Sequence, residues 1–280
     1  MLKSTQLNIV QESSAFWRVI FDNPPLNLLD PDTIGELQQL VAAIEAADAL
    51  KVVVFESANP DYFIAHYDMS RAAETPSASV PGSLHPWADF TMRLANAPVV
   101  SIAAVKGRAR GVGNEFALAC DLRFASLERA FFCQPEVAVG IVPGGGAVER
   151  LPLLVGRARA IEILLGSDDI DAATAERYGL VNRAIPDVDF NSFVVTFARR
   201  IASFDKQALA AVKALLNRTG LPTPEDLVSS SAMFRQSLSW DGAKARITPL
   251  IKGGLSRPGD FELRLGHHLG ALMASAQDNG

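Results

Sequence analysis

Two glutamates, Glu115 and Glu136, are the residues whose types and positions best suit proton transfer. Glu115 follows a glycine-rich loop and is predicted to lie in the first turn of a helix, whereas Glu136 follows a short predicted strand. Two carboxyl groups in one site can divide general acid and general base work between them. Simpler interpretations stay open, because a first-turn glutamate also pairs with the helix dipole and the second glutamate fits a solvated loop.

A candidate anion site comes directly before Glu115, at Gly111, Val112 and Gly113. Backbone N–H groups at a helix N-terminus are free to donate, and the positive end of the dipole favours a phosphate or a developing oxyanion. Glycine lets a ligand approach the backbone closely, although a tight structural turn explains the same glycines. The spacing matches neither the dinucleotide-binding nor the phosphate-loop pattern.

Alternating strands and helices are predicted to position these residues, and helices dominate after about residue 157. Two apolar runs, at residues 51–57 and 99–105, predict buried parallel strands, each followed by a loop, at residues 59–70 and 106–115. The other predicted elements are a hairpin of residues 7–10 and Phe16–Phe21, a helix that begins at Asp30-Pro31, a helix over Pro86–Asn96, a helix from residue 116, strands at residues 122–125 and 130–133, a helical stretch over residues 143–154, and helix N-caps at Asp171 and Thr223.

Composition bounds the class of protein. The 280 residues are 49% hydrophobic and 20% charged, which is enough for a sizeable core. A net charge of −5 argues against nucleic-acid binding, which needs a basic surface. Cys120 and Cys133 show no metal-binding spacing and are predicted to be buried thiols. The N-terminus lacks the apolar core of a signal peptide and the apolar run at residues 97–105 is too short to cross a bilayer, so a cytoplasmic protein with no membrane partner is expected.

The four histidines also show no metal-binding spacing, so no metal site is expected. His66 lies in the first of the two loops and could face a ligand. His85, His267 and His268 are predicted to be surface or interface residues.

Five segments together resemble the crotonase superfamily, also called the enoyl-CoA hydratase/isomerase family. The resemblance covers residues 23–186 and is weaker in the helical tail. The segments are NPPLNLL at 23–29, YFIAHYDM at 62–69, VVSIAAVKGRARGVGNEFALACDLRFAS at 99–126, FFCQPEVAVGIVPGGGAVERLPLLVG at 131–156 and AERYGLVNRAIP at 175–186.

The resemblance implies a fold and an assembly. The fold is the α/β crotonase (ClpP-like) fold, with a core of repeated ββα turns over residues 1–205 that carries the acyl-CoA site. Residues 206–280 form a helical part that is expected to pack on the core and on a neighbouring subunit of a homotrimer or a dimer of trimers. The implied ligand is an acyl thioester of coenzyme A, with no further cofactor.

The resemblance also implies the roles of single residues. The N–H groups of Tyr67 and Val112 correspond to the oxyanion hole that binds the thioester carbonyl. The N–H of Gly144 would help to place the attacking water. Further contacts with the substrate or with coenzyme A are expected from Ala65, His66, Asp68, Gly111 and Gly144.

Both glutamates of the hydratases in this family are present. Glu115 would activate the water that attacks Cβ, and Glu136 would handle the proton exchanged at Cα. Isomerases that resemble these enzymes usually keep only the later carboxylate, so hydration of a 2-enoyl-CoA is favoured. An isomerase, hydrolase or dehydratase reaction and a non-catalytic acyl-CoA-binding scaffold remain as alternatives.

Three positions depart from the family pattern. His66 replaces a glycine, Tyr67 replaces a small residue, and Val112 interrupts a glycine triplet. These side chains add bulk beside the acyl pocket, but backbone donors survive such replacements. His66 is either a functional addition or a packing residue.

Overall fold

The structure is a computed structural model that describes residues 4–75, 78–80 and 82–270. Residues 271–280 of the predicted C-terminal part lie outside the described residues. The strands are β1 (Leu7–Ser13), β2 (Phe16–Phe21), β3 (Val52–Ser57), β4 (Tyr62–Ile64), β5 (Val100–Val105), β6 (Arg108–Arg110), β7 (Leu122–Ser126), β8 (Phe131–Cys133), β9 (Ile170–Asp171) and β10 (Arg183–Ile185). The helices are α1 (Pro31–Ala46), α2 (Pro86–Asn96), α3 (Val112–Ala119), α4 (Glu136–Val139), α5 (Ala147–Val155), α6 (Arg157–Gly166), α7 (Ala172–Tyr178), α8 (Asp187–Ala202), α9 (Lys206–Gly220), α10 (Pro224–Ser237), α11 (Asp241–Gly253) and α12 (Asp260–Leu263), with a 3₁₀ helix at Met69–Glu74.

Two sheets form the α/β core. The larger has the strand order β1-β2-β3-β5-β7-β10, in which β1 and β2 are an antiparallel hairpin and the other neighbours are parallel. The smaller has the order β4-β6-β8-β9, in which β4, β6 and β8 are parallel. Because the carboxyl ends of parallel strands meet at one edge, the segments after β4, β6 and β8 converge there.

Strong local signals predicted their elements correctly. Asp30 caps α1 by accepting from Thr33 N–H at 2.8 Å, in a reciprocal capping box. The apolar residues Ile34, Leu37 and Val41 are buried on one face of that helix. The N-caps predicted at Asp171 and Thr223 are also present.

Two predicted loops were wrong in part, because each contains a strand. β4 lies inside the loop predicted at residues 59–70, and β6 lies inside the one predicted at residues 106–115. Three-residue strands are too short to show a period of two. Helix α3 also begins at Val112 rather than at residue 116.

An aromatic cluster fixes α3 against the larger sheet. The ring of Phe116 packs against Phe21 and Phe55 at centroid distances of 5.1 and 4.9 Å. Gly113 lets the first turn of α3 lie against β4, since a Cβ there would overlap the carbonyl of Ile64. The helix N-terminus is thus held against the end of the small sheet.

The C-terminal helices pack on the core. A cluster of Leu250, Leu255, Leu265 and Leu269 lies against Val139 of α4. Helix α9 exposes Val212 and the leucines on the same face, Leu215 and Leu216. The division of the chain at residue 205 stays a prediction. No helix of the described residues is both long enough and apolar enough to span a bilayer.

Candidate active site

A cavity of about 340 Å³ opens at the edge where β4, β6 and β8 end. Its wall contains seven of the residues predicted from the sequence: His66, Tyr67, Gly111, Val112, Glu115, Glu136 and Gly144. Two others, Ala65 and Asp68, do not line it. Ala65 is buried behind the wall, and the Asp68 carboxylate caps the 3₁₀ helix by accepting from Ser70 N–H at 2.9 Å. A role for these two in ligand binding stays a prediction.

The two predicted oxyanion donors belong to the segments that leave β4 and β6. Tyr67 comes three residues after β4, and Val112 is the first residue of α3, two residues after β6. Among the described residues, neither N–H donates a hydrogen bond to the protein. Both residues line the cavity, so both N–H groups remain able to donate to a ligand.

Glu115 is buried, with its carboxylate held by the backbone of the loop before α5. Its Oε1 accepts from Gly145 N–H at 2.9 Å and from Ala147 N–H at 3.3 Å. The carbonyl of Gly145 in turn accepts from Trp87 Nε1–H at 3.1 Å. Gly145 must be a glycine here, since a Cβ would overlap the carboxylate of Glu115.

Glu136 begins α4 and is half-buried at the opposite side of the loop that carries Val112. Its Oε2 accepts from Gln134 Nε2 at 3.1 Å, and Gln134 Oε1 accepts from Asn114 Nδ2 at 2.8 Å. A Cβ on Gly111 would lie 2.8 Å from Glu136 Oε1. Gly111 has a φ of +50°, so both its conformation and its neighbour favour glycine.

The environment makes both carboxyl groups hold protons more tightly than usual. Burial raises the pKa of Glu115 from 4.5 to about 7, against the two backbone donors, which lower it. Burial, followed by the charge of Glu115, raises the pKa of Glu136 from 4.5 to about 8. The group with more backbone N–H donors is thus the one that ionises more easily. Glu115 suits the role of base and Glu136 the role of acid.

His66 does not extend into the cavity as a free side chain. Its Nδ1 lies 2.8 Å from the carbonyl oxygen of Tyr67, and its Nε2 lies 2.9 Å from Oε1 of Glu262 in α12. Glu262 is fully buried. Beside it, Arg110 donates to Asp169 at 2.7 Å and to the carbonyl of Glu262 at 2.6 Å. His66 therefore links the segment after β4 to the C-terminal helices.

Several residues of the wall were not predicted. His85 was expected at the surface or at an interface, and this was wrong: it lines the cavity, and its Nε2 is buried without a partner among the described residues. Burial, followed by the charge of Arg235, lowers the pKa of His85 to about 4, so this ring is neutral. Phe234 of α10 closes the cavity at Gly144. No sequence signal links α10 to a loop ninety residues earlier.

Other ligand types find little support in the described part of the chain. It contains no group of three or more histidine, cysteine, aspartate or glutamate side chains that could hold a metal ion. Both cysteines are free and buried, as predicted, and burial raises the pKa of each thiol.

Comparison with known proteins decides the family. Residues 11–245 match the model of the enoyl-CoA hydratase/isomerase family. The chain belongs to that family. A short-chain-enoyl-CoA hydratase from Clostridium acetobutylicum is 33% identical over 251 residues, which are 88% of this chain and 95% of the relative. A crotonyl-CoA hydratase from Syntrophomonas wolfei is 35% identical over 228 residues, which are 80% of this chain and 86% of the relative.

Solved structures agree with this assignment. A candidate enoyl-CoA hydratase from Streptomyces avermitilis superimposes with a TM-score of 0.91 at 38% identity, covering 96% of this chain and 98% of the other. The predicted crotonase fold is thereby confirmed, with the helical C-terminal part included in the match.

Proposed function

We propose that this member of the enoyl-CoA hydratase/isomerase family hydrates a 2-enoyl-CoA to a 3-hydroxyacyl-CoA, through an oxyanion hole and two glutamates. One observation carries the proposal: Glu115 and Glu136 line the same cavity as Tyr67 and Val112, whose N–H groups have no partner in the described part of the chain. A scaffold protein would need none of these groups in one place. The names of the two relatives favour a short acyl group.

The chemistry follows from the positions of these groups. The thioester oxygen accepts from the two N–H groups, which stabilise the negative charge that develops there as water attacks Cβ. Such donors contribute about 3–4 kcal/mol each to a transition state. Ionised Glu115 takes one proton from the water, and protonated Glu136 delivers one to Cα. The balance is the addition of H and OH across the double bond, with coenzyme A unchanged as part of the substrate.

The roles of the neighbouring glycines follow the same geometry. Gly145 fixes the base, because its N–H donates to Glu115. Gly144 lines the cavity, and its N–H donates no hydrogen bond within the described residues, which leaves it able to hold the attacking water. Gly111 leaves room for Glu136 beside the oxyanion donors.

The test is product analysis with a panel of 2-enoyl-CoA and 3-enoyl-CoA thioesters of increasing chain length. The proposal predicts that at least one 2-enoyl-CoA gains the mass of one water and loses its conjugated double bond. Conversion of 3-enoyl to 2-enoyl thioesters without gain of water would assign an isomerase instead. Release of free coenzyme A would assign a hydrolase.

The proposed assembly is a homotrimer or a dimer of trimers, in the cytoplasm. Its support is the apolar face of α9, where Val212, Leu215 and Leu216 are exposed in the single chain. Apolar residues at helical spacing need a partner surface. Sedimentation should show a trimer or hexamer, and a stable active monomer would contradict the proposal.

A further inference from the structure

The imidazole of His66 lies between a backbone carbonyl oxygen and the side-chain carboxyl group of Glu262. The carbonyl oxygen of Tyr67 faces Nδ1 at 2.8 Å, and the carboxylate of Glu262 faces Nε2 at 2.9 Å. A neutral imidazole carries one N–H, so one of its two nitrogens would point a lone pair at an acceptor. When Glu262 is ionised, only the doubly protonated imidazolium satisfies both contacts.

Glu262 is ionised in this arrangement. Its Oε2 accepts from Ser256 N–H at 2.8 Å, which favours the carboxylate. Burial raises the pKa of Glu262, but the charge of His66 and its hydrogen bond outweigh it and hold this pKa below 4.5. Burial likewise opposes the charge on His66, but Glu262 outweighs it and raises the pKa of the ring above 6.5.

The charge of Arg110, beside His66, is balanced by Asp169. Arg110 of β6 repels the imidazolium, but its guanidinium donates two hydrogen bonds to Asp169, at 2.7 and 2.6 Å. Across the cavity lie Glu115 and Glu136. The wall that His66 shares also contains the guanidinium of Arg235 and the neutral ring of His85.

The segment around Tyr67 is held on every side but one. The carbonyl of His66 accepts from Leu29 N–H at 3.0 Å, and Asp68 N–H donates to the carbonyl of Leu29 at 2.8 Å. The carbonyl of Tyr67 accepts from the His66 ring. Of the four backbone polar groups in the two peptide units that flank Tyr67, only its own N–H has no partner among the described residues. The side chain of His66 thus supplies one of the three contacts that hold this segment, and the only one that comes from a side chain among the described residues.

We infer that His66 is a positioning residue for the oxyanion hole: held as an imidazolium by Glu262, it orients the Tyr67 N–H toward the thioester oxygen and adds a fixed positive charge beside it. This role deepens the proposed function and rests on it. It also makes α12, from the C-terminal part, a component of the active site. A ring that served only as packing would need neither two acceptors nor a buried carboxylate.

The kinetic test compares two carboxylate-to-amide substitutions in α12. Glu262→Gln removes the counter-ion of His66, whereas Asp260→Asn removes an exposed carboxylate that contacts His268 and Arg264 but not the cavity. For Glu262→Gln, kcat for a 2-enoyl-CoA should be about one tenth of wild type at pH 8, less than the loss of a whole oxyanion donor would cause. KM should change less than kcat.

The pH dependence separates this role from a structural one. Without Glu262 the pKa of His66 falls, so the charge is lost at neutral pH and returns in acid. The ratio of the variant kcat to the wild-type kcat should therefore rise toward one as the pH falls, and titration of Glu136 cancels in that ratio. For Asp260→Asn the ratio should stay near one throughout. A ratio for Glu262→Gln that is above about one half at pH 8, or that does not vary with pH, overturns the inference.

A second readout is independent of activity and also covers a variant that fails to fold. In ¹⁵N-histidine-labelled wild-type protein, with His66 assigned through bonds, both ring nitrogens should be protonated at pH 7.5. A neutral His66 in the wild type overturns the inference whatever the reaction is. A protonated His66 in a protein that hydrates no enoyl-CoA would keep the charge pair and remove the proposed function.

Discussion

Two buried glutamates differ in how tightly they hold a proton: Glu115 lies in the cavity wall, and Glu262 lies behind it, against the ring of His66. Burial dominates at Glu115, whose partners are backbone N–H groups, and its pKa rises to about 7. At Glu262 a positively charged ring outweighs burial, and its pKa falls below 4.5. The comparison teaches that the partner, rather than the depth of burial, decides whether a buried carboxylate transfers protons or serves as a fixed charge.

The largest expected effect comes from replacing the glutamates that transfer protons. Glu115→Gln and Glu136→Gln should each lower turnover of a 2-enoyl-CoA by about 10²- to 10⁴-fold, because each removes one proton-transfer step while keeping the shape of the side chain. Binding of an acyl-CoA should change much less. Glu176→Gln, an exposed glutamate on α7, is the matched control. An isomerase would tolerate Glu115→Gln, and hydration near the wild-type rate by both variants would remove the hydratase assignment.

Replacing Glu262, the glutamate that serves as a fixed charge, should change the stability of the fold. Glu262→Gln should lower the free energy of unfolding at pH 7 by about 2 kcal/mol, because it removes the charge-assisted hydrogen bond to the buried ring of His66, which then loses its charge. The pKa of Glu262 is lowered in the folded state, so its contribution is present above about pH 4.5 and is lost as the pH falls below that. Urea unfolding at pH 7 and at pH 4 measures the difference, and an equal cost at both values would contradict this account.

Glu136→Gln should change stability in the opposite direction. The pKa of Glu136 is raised from 4.5 to about 8, so the wild-type fold loses stability as the pH rises through that window, and glutamine cannot ionise. Relative to wild type, the variant should gain about 2 kcal/mol of unfolding free energy between pH 5 and pH 8, a value reduced because Glu136 is only half-buried. The same unfolding measurements test this, and a variant that loses stability at pH 8 would show that the carboxylate is paired after all.

A smaller effect should come from moving Glu115 without removing it. A Cβ on Gly145 would overlap the Glu115 carboxylate, so Gly145→Ala should lower kcat by about tenfold, within the range for a displaced catalytic group. Gly35→Ala in α1 is the control, because its Cβ would meet no atom of the described residues within 4 Å. That control should keep full activity and gain up to about 1 kcal/mol in stability. Equal activity of the two variants would show that the position of Glu115 is not critical.

The sequence predicted those parts of the fold whose signals are local. Helix α1 has a capping box at Asp30 and buried residues at helical spacing, so its start and its inner face were both correct. Strand β6 was missed because Arg108 and Arg110 make it look like a polar loop. Arg110 is buried only because Asp169, 59 positions later, neutralises it.

In the site, too, the residues with local sequence signals were predicted and those that depend on distant partners were not. Glu115 and Glu136 stand beside recognisable motifs, and their presence in one cavity agrees with the resemblance that named them. The partner of His66 could not be predicted, because Glu262 is 196 positions away in a short helix with no motif of its own. His85 was misjudged because only the fold brings α10 and Arg235 over it.

The central claim is that the two glutamates have separate proton-transfer roles, and exchange at Cα tests it most directly. A saturated acyl-CoA can lose and regain its Cα proton but cannot be hydrated. In deuterated water the wild type and Glu115→Gln should both introduce deuterium at Cα, whereas Glu136→Gln should do so at least about a hundredfold more slowly. Exchange that survives in Glu136→Gln and disappears in Glu115→Gln would contradict the assignment.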